Sequence, residues 1–320
     1  MKRDEEILVP AASSTGFLFV TMAAAVWGTD ALFRRGLALE LPAAAVVLWE
    51  HAILVVLTVP LLKRALSSSS SLRGSDLVAL LVVGAGASAA ATVLFTAAFT
   101  YGDPTTPLLL QKLQPLIAVG GAHVLLRERI TTRYPVYFVL ALLGAYLVTF
   151  SDPLHLSLVA LTPAVLAIAA ATLWGLGTVL GRRLTAKIPF AELTALRFAI
   201  GLPAAALILF FQDGSEGFSA ATLSDAPALI LLALIPGLFA LMLYYRGLRQ
   251  TPAAAATLGE LAFPLSALVV NYLAFGVTLE ATQLIGLVLL SATISAMGIA
   301  GRHGSEAMGI RLQPSLALQR

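Results

Sequence analysis

The chain has no cysteine, and only 12% of its 320 residues are Asp, Glu, Lys or Arg. Without cysteine there is neither a disulfide framework nor a thiolate metal centre. A soluble domain is about one quarter charged, so this composition cannot clothe a soluble fold of this size. Motifs of enzymatic work are also missing. The sequence shows no P-loop, no HExxH and no GxSxG, so ATP-driven work and metal- or serine-based hydrolysis are not expected within the chain. No cofactor and no metal are expected.

Apolar residues are abundant, at 59%. A membrane-spanning helix needs about 20 mostly apolar residues. Ten such stretches are legible, at 17–36, 42–62, 76–101, 105–126, 134–151, 160–181, 189–211, 226–247, 253–276 and 280–300. Runs such as Leu77–Val83 and Ala204–Phe211 are continuously apolar, unlike the alternating strands of a barrel. Helices are then the structures that satisfy their own backbone in lipid. Short loops remain: a flexible serine run at Ser67–Ser71, a polar turn at Asp213–Ser219 and a polar tail at Arg302–Arg320. Residues 1–16 read as a cytoplasmic segment rather than a cleaved signal peptide, because the basic start is followed by Asp4, Glu5 and Glu6.

The formal net charge of +3 does not call for a nucleic-acid partner, because basic residues in a membrane chain are topology signals. With the N-terminus inside, 16 Lys and Arg fall in inner segments, 2 (Arg34 and Arg35) in an outer loop, and Lys112 and Arg197 within spans, which accounts for all 20. That bias places both termini in the cytoplasm of a bacterial-type inner membrane.

The chain repeats itself. Trp27-Gly28, Arg34-Arg35 and Pro42 return as Trp174-Gly175, Arg182-Arg183 and Pro189, with 15 residues from Trp to Pro in both copies. Pro115 returns as Pro264. The offset is 147 early and 149 late. Each copy holds five spans, an odd number, so the second is inverted relative to the first. The expected organisation is a first repeat at 17–151, a second at 152–301 and a tail at 302–320. Inverted repeats place a solute site near the membrane midplane between the halves.

These residues resemble the drug/metabolite transporter superfamily, and within it the EamA-type exporters of ten helices. The resemblance rests on Ala25-Val26-Trp27-Gly28, Arg127-Glu128-Arg129-Ile130-Thr131, Arg197-Phe198 and the two prolines, and covers residues 17 to 300. Among these exporters it looks most like the amino-acid exporters of the YddG type. The sequence departs from the pattern at Glu50-His51, where Arg-Phe is usual, and at Val277, where a glutamate is usual. The resemblance implies a secondary transporter exporting amino acids, aromatic ones among them, by alternating access. An exporter of drugs or other metabolites is the alternative, and an intramembrane enzyme a more distant one.

Ionisable groups inside spans cost about 2.5 kcal/mol or more each, so each one needs a reason. Glu260 shares a helix face with Phe263, Pro264 and Asn271, and either meets a substrate ammonium, carries a proton, or bonds a neighbouring helix. Lys112, beside Gln111, either pairs with a substrate carboxylate or snorkels outward. Gln111 and Glu260 are repeat-mates at the 149 offset. Glu50 and Arg197 are repeat-mates at the 147 offset, inviting a pairing between them or separate local bonds. Trp27, Trp174, Tyr101, Tyr244 and Tyr245 offer aromatic walls. Hinges are expected at Pro115 and Pro264 as mid-helix kinks, and at Gly84, Gly86 and Pro236-Gly237 in the neighbouring spans. One cavity with an anion, a cation and aromatic walls suits a zwitterionic small molecule. Beyond that solute and the lipid bilayer no partner is required, and a monomer suffices.

Overall fold

The computed structural model describes residues 14–70, 72–98, 110–111, 113–130, 133–149, 161–276, 280–300 and 310–311. Seven helices are long and apolar enough to cross a membrane, and three shorter apolar ones bring the total to ten among the described residues. Span one is Ser14–Trp27, resuming after a turn at Gly28 and Thr29 as Asp30–Glu40. Spans two and three are Ala43–Ser69 and Gly74–Ala98. The described parts of spans four and five include Gln114–Leu126 and Tyr134–Thr149. Spans six, seven and eight are Leu161–Thr185, Phe190–Asp213 and Leu223–Leu248. Span nine is split into Ala253–Gly259 and Ala262–Phe275, and span ten is Ala281–Ala300. The protein is an all-α integral membrane protein of two inverted five-helix repeats around a central cavity.

The packing obeys the repeat. Span two lies on span seven and span five on span ten, each against its own mate. Span one packs on spans eight and nine, and its mate, span six, packs on spans three and four. The glycine of each Trp-Gly pair makes this approach possible. A Cβ on Gly28 would fall 2.7 Å from the Ala267 nitrogen, and one on Gly175 would fall 3.1 Å from the Gln114 carbonyl. Small residues of this kind let helices touch backbone to backbone in lipid.

Two further symmetric features correct the expectations. Spans three and eight each contain a π-helical stretch, Val82–Ala90 and Ala233–Phe239. The first holds Gly84 and Gly86 and the second holds Pro236-Gly237, so the expected weak points coincide with real departures from α geometry. Pro115 and Pro264 are not mid-helix kinks. Pro115 is the second residue of Gln114–Leu126 and Pro264 the third of Ala262–Phe275. A first turn needs no N–H from these positions, so each proline starts a segment, and the break lies just before it, at Leu113 and at Glu260-Leu261.

The serine run is also not a loop over its first three residues. Ser67–Ser69 close span two, with the Ser67 and Ser69 hydroxyls donating back to the Lys63 and Leu66 carbonyls. At the end of span four, Arg127 takes a left-handed conformation (φ 56°), which turns Glu128 toward the start of span nine. There its two carboxylate oxygens accept from the Ala253 and Ala254 N–H groups at 2.8 and 3.1 Å. Burial holds the Glu128 carboxyl above the usual carboxylate range, against the pull of those two N–H groups. Strand β1 (Arg129–Ile130) pairs antiparallel with β2 (Ile310–Arg311), so part of the polar tail rests on this same loop.

Candidate functional site

A cavity of about 790 Å³ lies between the repeats. Among the described residues eight spans line it, and none of the lining comes from spans five and ten. Its walls include Asp30 and Arg34 late in span one, Thr92, Phe95 and Thr96 late in span three, and Gln111 and Gln114 at the start of span four. It therefore reaches toward the end of the bundle opposite the start of span one and the end of span ten.

Glu260 lies at the break in span nine. Its Oε1 accepts from the Tyr244 hydroxyl at 2.7 Å and the Thr178 hydroxyl at 3.0 Å, and its Oε2 from Gln114 Nε2 at 2.7 Å. Four spans thus meet at one carboxylate. Gln111 lines the same cavity, and the direct partner of Glu260 is Gln114, one helical turn further on.

Around this centre are two aromatic pairs. The Trp27 and Tyr244 rings lie 5.1 Å apart, and Phe95 and Trp174 lie 5.1 Å apart, edge to face. Each pair brings a Trp and its partner from opposite repeats, and Tyr244 and Phe95 are themselves repeat-mates. The Trp27 indole N–H donates to the Pro236 carbonyl at 3.0 Å, tying span one to the π-helical stretch of span eight.

The Glu50–Arg197 pairing does not form. Glu50 accepts from Arg34 at 3.0 Å, and Arg34 also grips Asp30 with two bonds of 2.6 and 2.9 Å. Arg34 was assigned to an outer loop, and instead lines the cavity. Asp30 and Arg34 are four residues apart on one helix face, the spacing at which opposite charges meet, and that signal was available in the sequence. Among the described residues Arg197 bonds neutral groups: Ser88 Oγ at 3.1 Å, the Tyr245 hydroxyl at 2.9 Å and the Ala87 carbonyl at 3.4 Å. His51 bridges the Val47 carbonyl and Ser88 Oγ, and Gly201 leaves room for its ring, since a Cβ there would fall 2.5 Å from it.

Of the remaining expected residues, Phe263, Pro115, Pro264, Pro236 and Gly237 line the cavity. Tyr245 stands behind it, holding Arg197. Gly84 and Gly86 face the packing of spans seven and six instead, near Ile200 and Leu173. Tyr101, Lys112, Val277 and the Asn271 side chain lie outside the described residues. Thr178 and Ser88 were not anticipated. Thr178 lies one helical turn after Trp174, and that spacing is the only hint of it.

Residues 14–150 and again 161–299 match the EamA-like transporter family. The chain is 34% identical over 288 residues to the riboflavin transporter ImpX of Fusobacterium nucleatum subsp. nucleatum, covering 87% of this chain and 96% of that protein. A crystal structure of a protein 18% identical in sequence superposes with a TM-score of 0.73 over 92% of this chain and 98% of its own, which shows a shared fold.

Proposed function

Because the chain belongs to the EamA-like transporter family, we propose that it carries a flat aromatic metabolite of the flavin type across the membrane by alternating access. The supporting observation is a cavity walled on two sides by Trp27–Tyr244 and Phe95–Trp174, in a chain 34% identical to a riboflavin transporter. At about 790 Å³ the cavity is within the range of small-molecule sites. Aromatic walls stack a planar ring, and the polar groups between them supply hydrogen bonds.

Alternating access needs parts that move. The break at Glu260-Leu261, its counterpart at Leu113 and the two π-helical stretches are the hinges in this reading, because each lacks a regular α-helical hydrogen bond at the point of bending. Glu260 would report on that movement, since its partners come from spans four, six and eight.

Export of aromatic amino acids is the second reading. It is favoured by Arg197 and Glu260 lining one cavity, each held by one of the adjacent tyrosines Tyr245 and Tyr244, an arrangement that would suit a zwitterion.

Counterflow in proteoliposomes separates the two. Vesicles preloaded with riboflavin are expected to accumulate labelled riboflavin, with saturation. Accumulation of tryptophan or phenylalanine, with none of riboflavin, would replace the flavin reading with the amino-acid one.

A further inference from the structure

The cavity wall carries sixteen polar side chains, counting both tryptophans. Thirteen are hydrogen-bonded within the protein. The charged groups are among them: Asp30, Arg34 and Glu50 bond one another, Glu260 is bonded at both oxygens, and Arg197 has three neutral acceptors. Three are not. Gln111 Oε1 and Thr257 Oγ1 are buried without a partner, and the Trp174 indole N–H has no acceptor among the described residues. Its repeat-mate Trp27 does use its indole N–H, so the difference is specific to one side of the cavity.

Buried polar groups in folded proteins are almost always paired, and an unpaired one costs about 1–3 kcal/mol. Two such groups, Gln111 Oε1 and Thr257 Oγ1, lie on this wall, beside the half-buried Trp174. They also come from helices that pack on one another: span four meets spans six and nine, and span six meets span nine. Gln111 is one turn before Gln114, and Thr257 one turn before Glu260, so they flank the Gln114–Glu260 bond.

We propose that Gln111, Trp174 and Thr257 are the groups that recognise the transported solute, and that they recognise an uncharged edge where an N–H or O–H stands beside a carbonyl. The indole N–H and the amide of Gln111 donate to the carbonyl, while Gln111 Oε1 accepts the solute's hydrogen and Thr257 does either. A neutral edge fits because the ionic groups already have partners, and a charged one would have to break those bonds. This assignment rests on the flavin reading, whose ring carries an imide edge of that pattern. It makes substrate choice a matter of hydrogen-bond matching rather than charge.

The test uses the full-length protein in detergent, with riboflavin binding followed by quenching of its fluorescence. Gln111→Leu, Thr257→Val and Trp174→Phe are each expected to weaken binding by about tenfold at a thermal midpoint no lower than that of wild type. Thr257→Ser should restore it, since the hydroxyl returns. N3-methylriboflavin, which lacks the imide N–H, should bind wild type weakly and lose less in Gln111→Leu than riboflavin does. If Gln111→Leu does not fold, Gln111→Met keeps its length and takes its place. Riboflavin affinity within twofold of wild type in all three variants overturns the assignment. If wild type carries tryptophan and not riboflavin, the flavin reading falls, and the same variants are tested by tryptophan counterflow. Loss of that flux then keeps the three residues as recognition groups, and equal flux removes them. A wild type that carries neither solute overturns both proposals.

Discussion

Asp76 and Asp225 are repeat-mates, 149 residues apart, and they begin spans three and eight in the same way. Each accepts from a backbone N–H three residues earlier, Arg73 at 3.2 Å and Thr222 at 2.8 Å. Their surroundings differ. Asp76 has no exposed surface and is gripped from the other repeat by Arg183 at 2.8 Å and Lys187 at 2.6 Å. Asp225 has no ion-pair partner among the described residues. At the 147 offset, the positions of Arg183 and Lys187 hold Gly36 and Glu40, and the Arg34-Arg35 pair stands one residue earlier in its copy than Arg182-Arg183 does.

The difference extends to the two ends of the bundle. At the end that carries the start of span one and the end of span ten, the repeats are joined by Asp76 to Arg183 and Lys187, by Glu128 to Ala253 and Ala254, and by the Tyr134 hydroxyl to the Ala254 carbonyl at 2.9 Å. Spans one and eight touch there so closely that a Cβ on Gly247 would fall 2.6 Å from the Gly16 carbonyl. The cavity reaches toward the other end. Under alternating access the two ends must exchange roles, yet among the described residues a charge lock between the repeats is seen at one end alone. The state with the locked end closed is therefore the one the sequence favours.

Three substitutions probe that comparison. Asp76→Asn leaves two cations facing a neutral amide, and its expected cost is the largest. A fully buried pair would lose about 3–5 kcal/mol. Arg183 and Lys187 are 32% and 41% exposed, so solvent screening reduces this to about 2 kcal/mol. A lowered thermal midpoint in detergent, together with labelling of cysteines introduced near Arg183, checks it; an unchanged midpoint and no labelling would mean the lock contributes nothing. Glu128→Gln keeps the shape of the cap and loses its charge, and about 1 kcal/mol is expected, seen as a smaller shift of the same midpoint. Asp225→Asn should leave both midpoint and labelling at wild-type values, since no partner of opposite charge is lost. A fall as large as that of Asp76→Asn would show that the ends are equivalent after all.

Much of the fold was legible. Apolar runs of the right length located the spans, and the Trp-Gly and proline spacings exposed the repeat, because both depend on local sequence. The cavity was legible to the extent that Glu260, Trp27, Trp174 and Tyr244 sit on it. Side-chain pairing was not. Whether Glu50 meets Arg197 or Arg34 depends on how two helices are rotated and how deep each sits, and a repeat offset carries neither quantity. Arg34 was misplaced for a related reason: a pair of arginines at a span's edge counts equally well as loop, and only its bonds to Asp30 and Glu50 draw it inward. Pro115 and Pro264 marked the right region but the wrong turn, because a proline is tolerated both within a bent helix and at the start of a fresh one.

The interleaving of the repeats has a consequence for biosynthesis. Span one is made before the spans it packs against, eight and nine, which come late in the chain. The nascent chain must hold Trp27, Asp30 and Arg34 in the bilayer while more than two hundred further residues are translated. A lone aspartate or arginine there would work against insertion. Paired through two bonds within a single helix, they enter as one neutral unit that needs no other helix. The same ion pair that lines the finished cavity therefore lets its first wall wait in lipid for the rest.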